Sequence, residues 1–133
     1  MTHDTIQPEG WAPAKGYANG VLARDGTLYV GGQIGWDENQ VFQTHDFIGQ
    51  MEQTLINILA IVEKAGGQAE DIVRLTWYVT DKKEYLARQA EIGAVYRKVL
   101  GRHFPAMAMV VVRALIEDEA LVEIEATAVI RQG

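Results

Sequence analysis

The spacing of apolar residues changes several times along the chain, and each change marks an element. From Asp46 to Ala65 the apolar positions Phe47, Met51, Leu55, Ile58, Leu59 and Val62 recur at helical spacing. Gly66-Gly67 then supplies a stop, so this stretch predicts a long helix. Ile72 to Thr80 is rich in β-branched and aromatic residues and predicts a strand. Asp81, with Glu84 three residues on, resembles a capping box and opens a second helix. That helix is expected to run to Leu100 and to pack through Leu86, Ala90, Val95 and Val99, with Gly101 ending it. Pro105 precedes a strand from Ala106 to Leu115, and a last strand covers Leu121 to Arg131. Ahead of the first helix, Tyr17 to Arg24 and Thr27 to Gln33 flank Asp25-Gly26, a strong hairpin signal. Gly31-Gly32 interrupts the second of these strands, which predicts a bulge or a close backbone approach. Residues 1–16, with Pro8, Gly10, Pro13 and Gly16, read as an irregular lead-in. Ile34 to His45 reads as a loop with a short turn at Asp37 to Asn39.

The order is therefore ββαβαββ, an α+β arrangement with two helices on one face of a mixed sheet. No repeat, linker or low-complexity tract divides residues 1–133, so one domain is expected. One strand breaks the usual alternation. Met107-Ala108-Met109-Val110-Val111-Val112 is apolar at every position, so both of its faces need cover. Two helices cover one face only. Another subunit is the expected source of the rest, the alternative being a sheet that curls onto itself.

Composition narrows the chemistry. The 133 residues suit one domain with a real core. There is no cysteine, which excludes disulfides, a thiolate nucleophile and cysteine-bound metal. The net charge of −6, with no basic run longer than Lys82-Lys83, argues against nucleic acid as a partner. No apolar run reaches the roughly 18–20 residues of a membrane span. The first ten residues show no apolar signal segment, and a cytoplasmic location with no membrane association is expected by default. His3, His45 and His103 lack metal-ligand spacing, so no metal is expected, and no cofactor motif is present.

Several short motifs in order resemble the Rid (YjgF-like) family over nearly the whole chain. They are Gly16-Tyr17 with Asn19-Gly20-Val21, Gly31-Gly32-Gln33-Ile34, and Ala60-Ile61-Val62-Glu63-Lys64-Ala65-Gly66. Asp71-Ile72-Val73, Phe104-Pro105-Ala106 and Val122-Glu123-Ile124-Glu125-Ala126 follow. The resemblance implies a chorismate-mutase-like subunit in a homotrimer, with small-molecule sites in the clefts between subunits. It also implies hydrolysis of reactive imine or enamine acids to 2-keto acids and ammonia. Some members of the family carry older names as ribonucleases or translation inhibitors.

The resemblance also implies a site. Tyr17 matches the family's site tyrosine, and Gly32 the glycine whose backbone lines the cleft. Met109 matches a position whose backbone N–H helps bind the substrate carboxylate. Glu123 matches the glutamate that orients water or relays a proton. Where the deaminases of the family carry a carboxylate-clamping arginine, this chain has Met107. A thioether cannot replace a bidentate guanidinium, and losing such charge-assisted bonds costs about 1.5–3 kcal/mol each. Arg113 lies six residues on and reads as a surface arginine at a strand end. Apart from any family, Glu123 and Glu125 alternate with Val122, Ile124 and Ala126, which gives one apolar and one acidic strand face. Trp36 either walls the cleft or staples its own loop, while Trp77 reads as sheet packing.

Three functions follow as expectations. The first is an imine or enamine deaminase with altered substrate preference. The second is a non-catalytic trimer that binds a small molecule. The third, a ribonuclease or translation inhibitor, rests on family names and runs against the acidic balance.

Overall fold

The computed structural model describes residues 3–131. Six strands form one open sheet in the order β1-β2-β3-β6-β4-β5. The strands are β1 (Asp4–Ile6), β2 (Gly20–Leu22), β3 (Thr27–Ile34), β4 (Ile72–Val79), β5 (Ala106–Val111) and β6 (Val122–Val129). The helices are α1 (Phe47–Lys64), α2 (Lys82–Ala87) and α3 (Gln89–Leu100). β4 and β5 are parallel and every other pair is antiparallel, so the sheet is mixed.

α1 starts where its cap dictates. The Asp46 side chain accepts from the Gly49 N–H, and Gly66, at φ 95°, turns the chain out after Ala65. Its apolar stripe of Phe47, Met51, Leu55, Ile58 and Val62 is buried against β3 and β6, while Leu59 sits half-buried at the margin. Leu28, Val30, Leu75, Trp77, Val79, Val122, Ile124, Ala126 and Ala128 form the sheet side of this core. Alternation along β6 is regular, with buried Val122, Ile124, Ala126 and Ala128 facing the helices.

Three expectations need correction. The lead-in is not irregular throughout: Asp4–Ile6 pairs antiparallel with β2, three residues being too few to show a period. Met1 and Thr2 of that lead-in lie outside the described residues. The second helix is not continuous but breaks at Arg88, whose φ −123° and ψ 28° are not helical. The Arg88 guanidinium there reaches Asp46 at 2.6 Å, Glu84 at 3.2 Å and Glu91 at 2.8 Å. The break shifts the helical phase, so Leu86 is 52% exposed and Ala90 is exposed, while Ile92 and Leu100 enter the core. The strand expected to reach Leu115 ends at Val111, and Ile116 beyond it is exposed.

β5 is an edge strand, and the chain leaves both of its faces open. Met107 and Val111 on the helix side, and Val110 on the other, are each about half exposed. The sheet does not curl to cover them. α3 packs on α1 and leaves a gap above β5.

Candidate functional site

The open face of the sheet carries the first group of candidate residues. Between Val30 and Gln33 the β3–β6 register slips, so Gly31-Gly32 is the bulge that the paired glycines suggest. A buried amide chain holds it. Gln33 donates to the Gly31 carbonyl at 3.1 Å and to Asn19 Oδ1 at 3.2 Å. Asn19 donates to Gln7 Oε1 at 2.8 Å, and the Gly31 N–H donates to the Asn19 carbonyl at 2.8 Å. This fixes the segment after Tyr17 against the bulge. Tyr17 itself is exposed, and its hydroxyl accepts from Gln40 at 3.4 Å.

The bulge also explains the close approach. A Cβ on Gly32 would lie 2.8 Å from Glu123 Cδ and nearer still to its Oε2. Glycine is what allows the carboxylate to rest there. Glu123 is half-buried, and burial followed by the neighbouring Glu125 charge pushes its carboxyl above the usual value. Tyr78, beside Glu123 across the β4–β6 pair, donates its hydroxyl to Glu125. That bond, burial and the two glutamate charges raise the phenol. A carboxyl that keeps its proton more readily, next to bare backbone, suits a proton relay to a bound water.

Met107 and Met109 lie elsewhere. They pair with Leu75 and Trp77 of β4, which point to the helices, whereas Glu123 pairs with Tyr78. Leu75 and Tyr78 are three residues apart and so face opposite ways. Two strand spacings across and three residues along put the Met107 and Glu123 Cα atoms on the order of 14 Å apart. One chain therefore brings Tyr17, Gly32 and Glu123 to one region and leaves Met107 and Met109 in another.

That second region is a cavity of about 260 Å³ between α2, α3 and the β4–β5 edge. Trp77 and Leu75 floor it, Tyr85 and Tyr96 wall it, and Met107 and Met109 form the sheet rim. Tyr96 stacks on Phe104 with centroids 5.7 Å apart. Its hydroxyl donates to the His103 carbonyl at 2.6 Å, and His103 Nε2 donates to the Ile72 carbonyl at 2.6 Å. These bonds hold the Phe104-Pro105 corner over the cavity. Sequence reasoning missed Tyr85, Tyr96 and Arg97 as cavity residues. The available signal was Tyr85, Ile92 and Tyr96 at helical spacing, an aromatic stripe that looks like ordinary core.

Trp36 bridges to Phe42, with ring centroids 5.9 Å apart, and so staples its loop. Trp77 packs in the sheet core at 2% exposure, as its strand context suggests. Arg113 is exposed in the loop after β5 and does not line the cavity. Among the described residues no three His, Asp or Glu side chains gather to hold a metal ion, and no helix is long and apolar enough to cross a membrane.

Fold and motifs together define the class: the chain belongs to the Rid/YjgF family, whose model, described as Endoribonuclease L-PSP, matches residues 8–130. It is 36% identical over 102 residues to the RutC family protein PM1466 of Pasteurella multocida, covering 77% of this chain and 78% of that protein. A RutC family protein of Haemophilus influenzae is 42% identical over 84 residues, or 63% of this chain and 64% of the relative's length. The crystal structure of RidA from the Antarctic bacterium Psychrobacter sp. PAMC 21119 superposes with a TM-score of 0.81 at 35% identity, over 96% of this chain and 99% of that one.

Proposed function

We propose that this protein is a hydrolytic deaminase of imine or enamine metabolites, working at clefts between the subunits of a homotrimer. The observation that carries this reading is Glu123. It is half-buried, its carboxyl is pushed above the usual value by burial and by the Glu125 charge, which makes the carboxylate a better proton acceptor, and it is seated against backbone that lacks a Cβ. Hydrolysis of a C=N bond needs one water on the carbon and the transfer of both its protons to the nitrogen. Glu123 accepts a proton from the attacking water as the C–O bond forms. It passes that proton to the nitrogen, giving a carbinolamine, then takes the hydroxyl proton and hands it to the same nitrogen as C=O forms and the C–N bond breaks, so the overall change is imine plus water to carbonyl plus ammonia.

The divided geometry supports the oligomer. A substrate that touches both Glu123 and the residue at 107 cannot do so within one chain. It would do so between two chains, where the open apolar edge of β5 meets the Glu123 face of a neighbour. Such contact would also cover Met107, Val110 and Val111. Met107 marks the altered preference, because an apolar side chain there does not bind a carboxylate as an arginine would.

The test is to generate 2-iminobutanoate and a panel of bulkier imines enzymatically and to follow their hydrolysis with the protein and with Glu123→Ala. Acceleration by the native chain, lost in the variant, is expected. No acceleration across the panel refutes the reading. Light scattering on the same samples should give the mass of three chains.

Met107 also favours a second reading, a trimer that binds a small molecule without turning it over. Ligands that raise the melting temperature without being consumed would distinguish it. Cleavage of RNA is suggested only by the family's description, and the net charge of −6 opposes it.

A further inference from the structure

Three cations stand on or at the start of α3, and two of them are neutralised. Arg88 is held by Asp46, Glu84 and Glu91, and Lys98 by Glu52 at 2.6 Å. Arg97 takes part in none of the ion pairs among the described residues. Its guanidinium instead folds back along the helix onto Gly93, where a Cβ would stand 3.1 Å from Nη1. Both residues line the same cavity as Met107 and Met109. The cavity thus joins an apolar, aromatic interior to one unpaired positive charge.

We infer that this cavity binds a carboxylate with an aromatic or branched apolar body, and that Arg97 holds the carboxylate from α3. Residue 107 then acts as part of the apolar wall. The body would lie on Trp77 and between the methionines and Tyr96, where thioethers pack well against aromatic rings. The guanidinium offers a planar fork of donors that matches a carboxylate. At about 260 Å³ the space is smaller than the roughly 300–1,000 Å³ of drug-sized pockets, so a single ring or branched chain suits it. Gly93 is the positioning residue, since any side chain there would press on the guanidinium.

The inference deepens the deaminase reading by naming its substrate class, an imino acid with a bulky apolar side chain. The binding claim stands or falls separately. Calorimetry with phenylpyruvate, its neutral counterpart phenylacetone, and the small acid 2-oxobutanoate tests it on the full-length protein. Phenylpyruvate is expected to bind most tightly of the three. Arg97→Gln should weaken phenylpyruvate about ten- to a hundredfold and leave phenylacetone unchanged. Arg97→Lys should recover part of the loss, and Gly93→Ala should reproduce some of it. Arg97 is exposed, so its variants are expected to fold, which the melting temperature checks. No binding of any probe, an equal loss for acid and ketone, or no effect of Arg97→Gln overturns the inference. Hydrolysis of the imine of phenylalanine is followed in parallel. Binding that depends on Arg97, with no hydrolysis of this imine or of any in the panel, would refute the deaminase reading alone. Hydrolysis that ignores Arg97 would refute this inference alone.

Discussion

Replacing Gly32 with alanine puts a methyl carbon where the Glu123 side chain already is. The new Cβ would stand 2.8 Å from Cδ and 3.1 Å from Cγ of that residue. Carbon atoms rest at about 3.5–4.0 Å, so the carboxylate must retreat by roughly 0.7 Å or more. The neighbour is the far end of a flexible side chain, so a rotation relieves the clash at a cost of about 0.5–1.5 kcal/mol. Gly32 is not among the residues with positive φ, so alanine adds no backbone strain. The stiffer unfolded chain returns about 0.4–1 kcal/mol. Stability should therefore change by less than about 1 kcal/mol, or about 5 °C in melting temperature. Activity should suffer far more, because a displacement of about 1 Å in a catalytic group can cost up to about a hundredfold. Thermal denaturation and the kcat for imine hydrolysis, measured on the same preparation, check both halves. Unchanged kcat would refute the claim that the resting place of Glu123 matters. A fall in melting temperature beyond about 10 °C would refute the claim that Glu123 yields cheaply.

Gly35→Ala is the contrasting case: its Cβ would meet Gln50 Cβ, Cα and carbonyl oxygen at 2.6–2.8 Å, and a helix backbone cannot rotate away. It should destabilise by about 1–3 kcal/mol or more, read as a lower urea midpoint, and a wild-type midpoint would contradict the packing. Glu123→Gln tests the raised carboxyl. The folded state holds that proton more readily than the unfolded chain, so native stability falls as pH rises from the ordinary carboxyl value through the raised one. The glutamine variant should melt higher than the native protein at about pH 7 and lose that advantage at about pH 4; an equal difference at both would refute the shift. Met107→Arg, at a 55% exposed site, should fold normally and raise kcat/KM on 2-iminobutanoate; a folded variant with no gain would show that the rest of the site no longer serves that substrate.

What the sequence reveals here is what local physics controls. Asp46, the stripe through Val62 and Gly66 define α1 because cap, period and stop all lie within it. Asp25-Gly26 marks the hairpin turn, where Gly26 takes φ 93° and Asp25 accepts from the Thr27 N–H at 2.9 Å. Gly31-Gly32 was readable as a bulge or a close approach, and it is both. The features that escape depend on distant partners. No glycine or proline marks the helix break at Arg88, whose ties to Asp46 join residues 42 apart in sequence. β1 is a strand only because β2 lies beside it. The cavity walled by Tyr85 and Tyr96 exists because α3 leans on α1 and leaves β5 uncovered, which no helical period records.

The uniform apolar run of β5 and the divided site are two consequences of one topology. β5 is placed at the sheet edge by the crossover through α2 and α3. Met107 and Met109 thereby face the cavity, while Ala108 and Val110 share the open face with Glu123 and Glu125. An exposed edge strand of this kind invites pairing or aggregation unless something covers it. In the trimeric reading one contact covers the edge and brings residue 107 of one chain toward Glu123 of the next. Stability and activity would then fail together when that contact is broken. A lysine at Val110, which pairs with Tyr78 across the sheet from Glu123, should lower the assembly's mass and abolish imine hydrolysis in the same sample. A monomer that still turned over substrate would show that one chain suffices, and the distance between Met107 and Glu123 would then exclude residue 107 from the site.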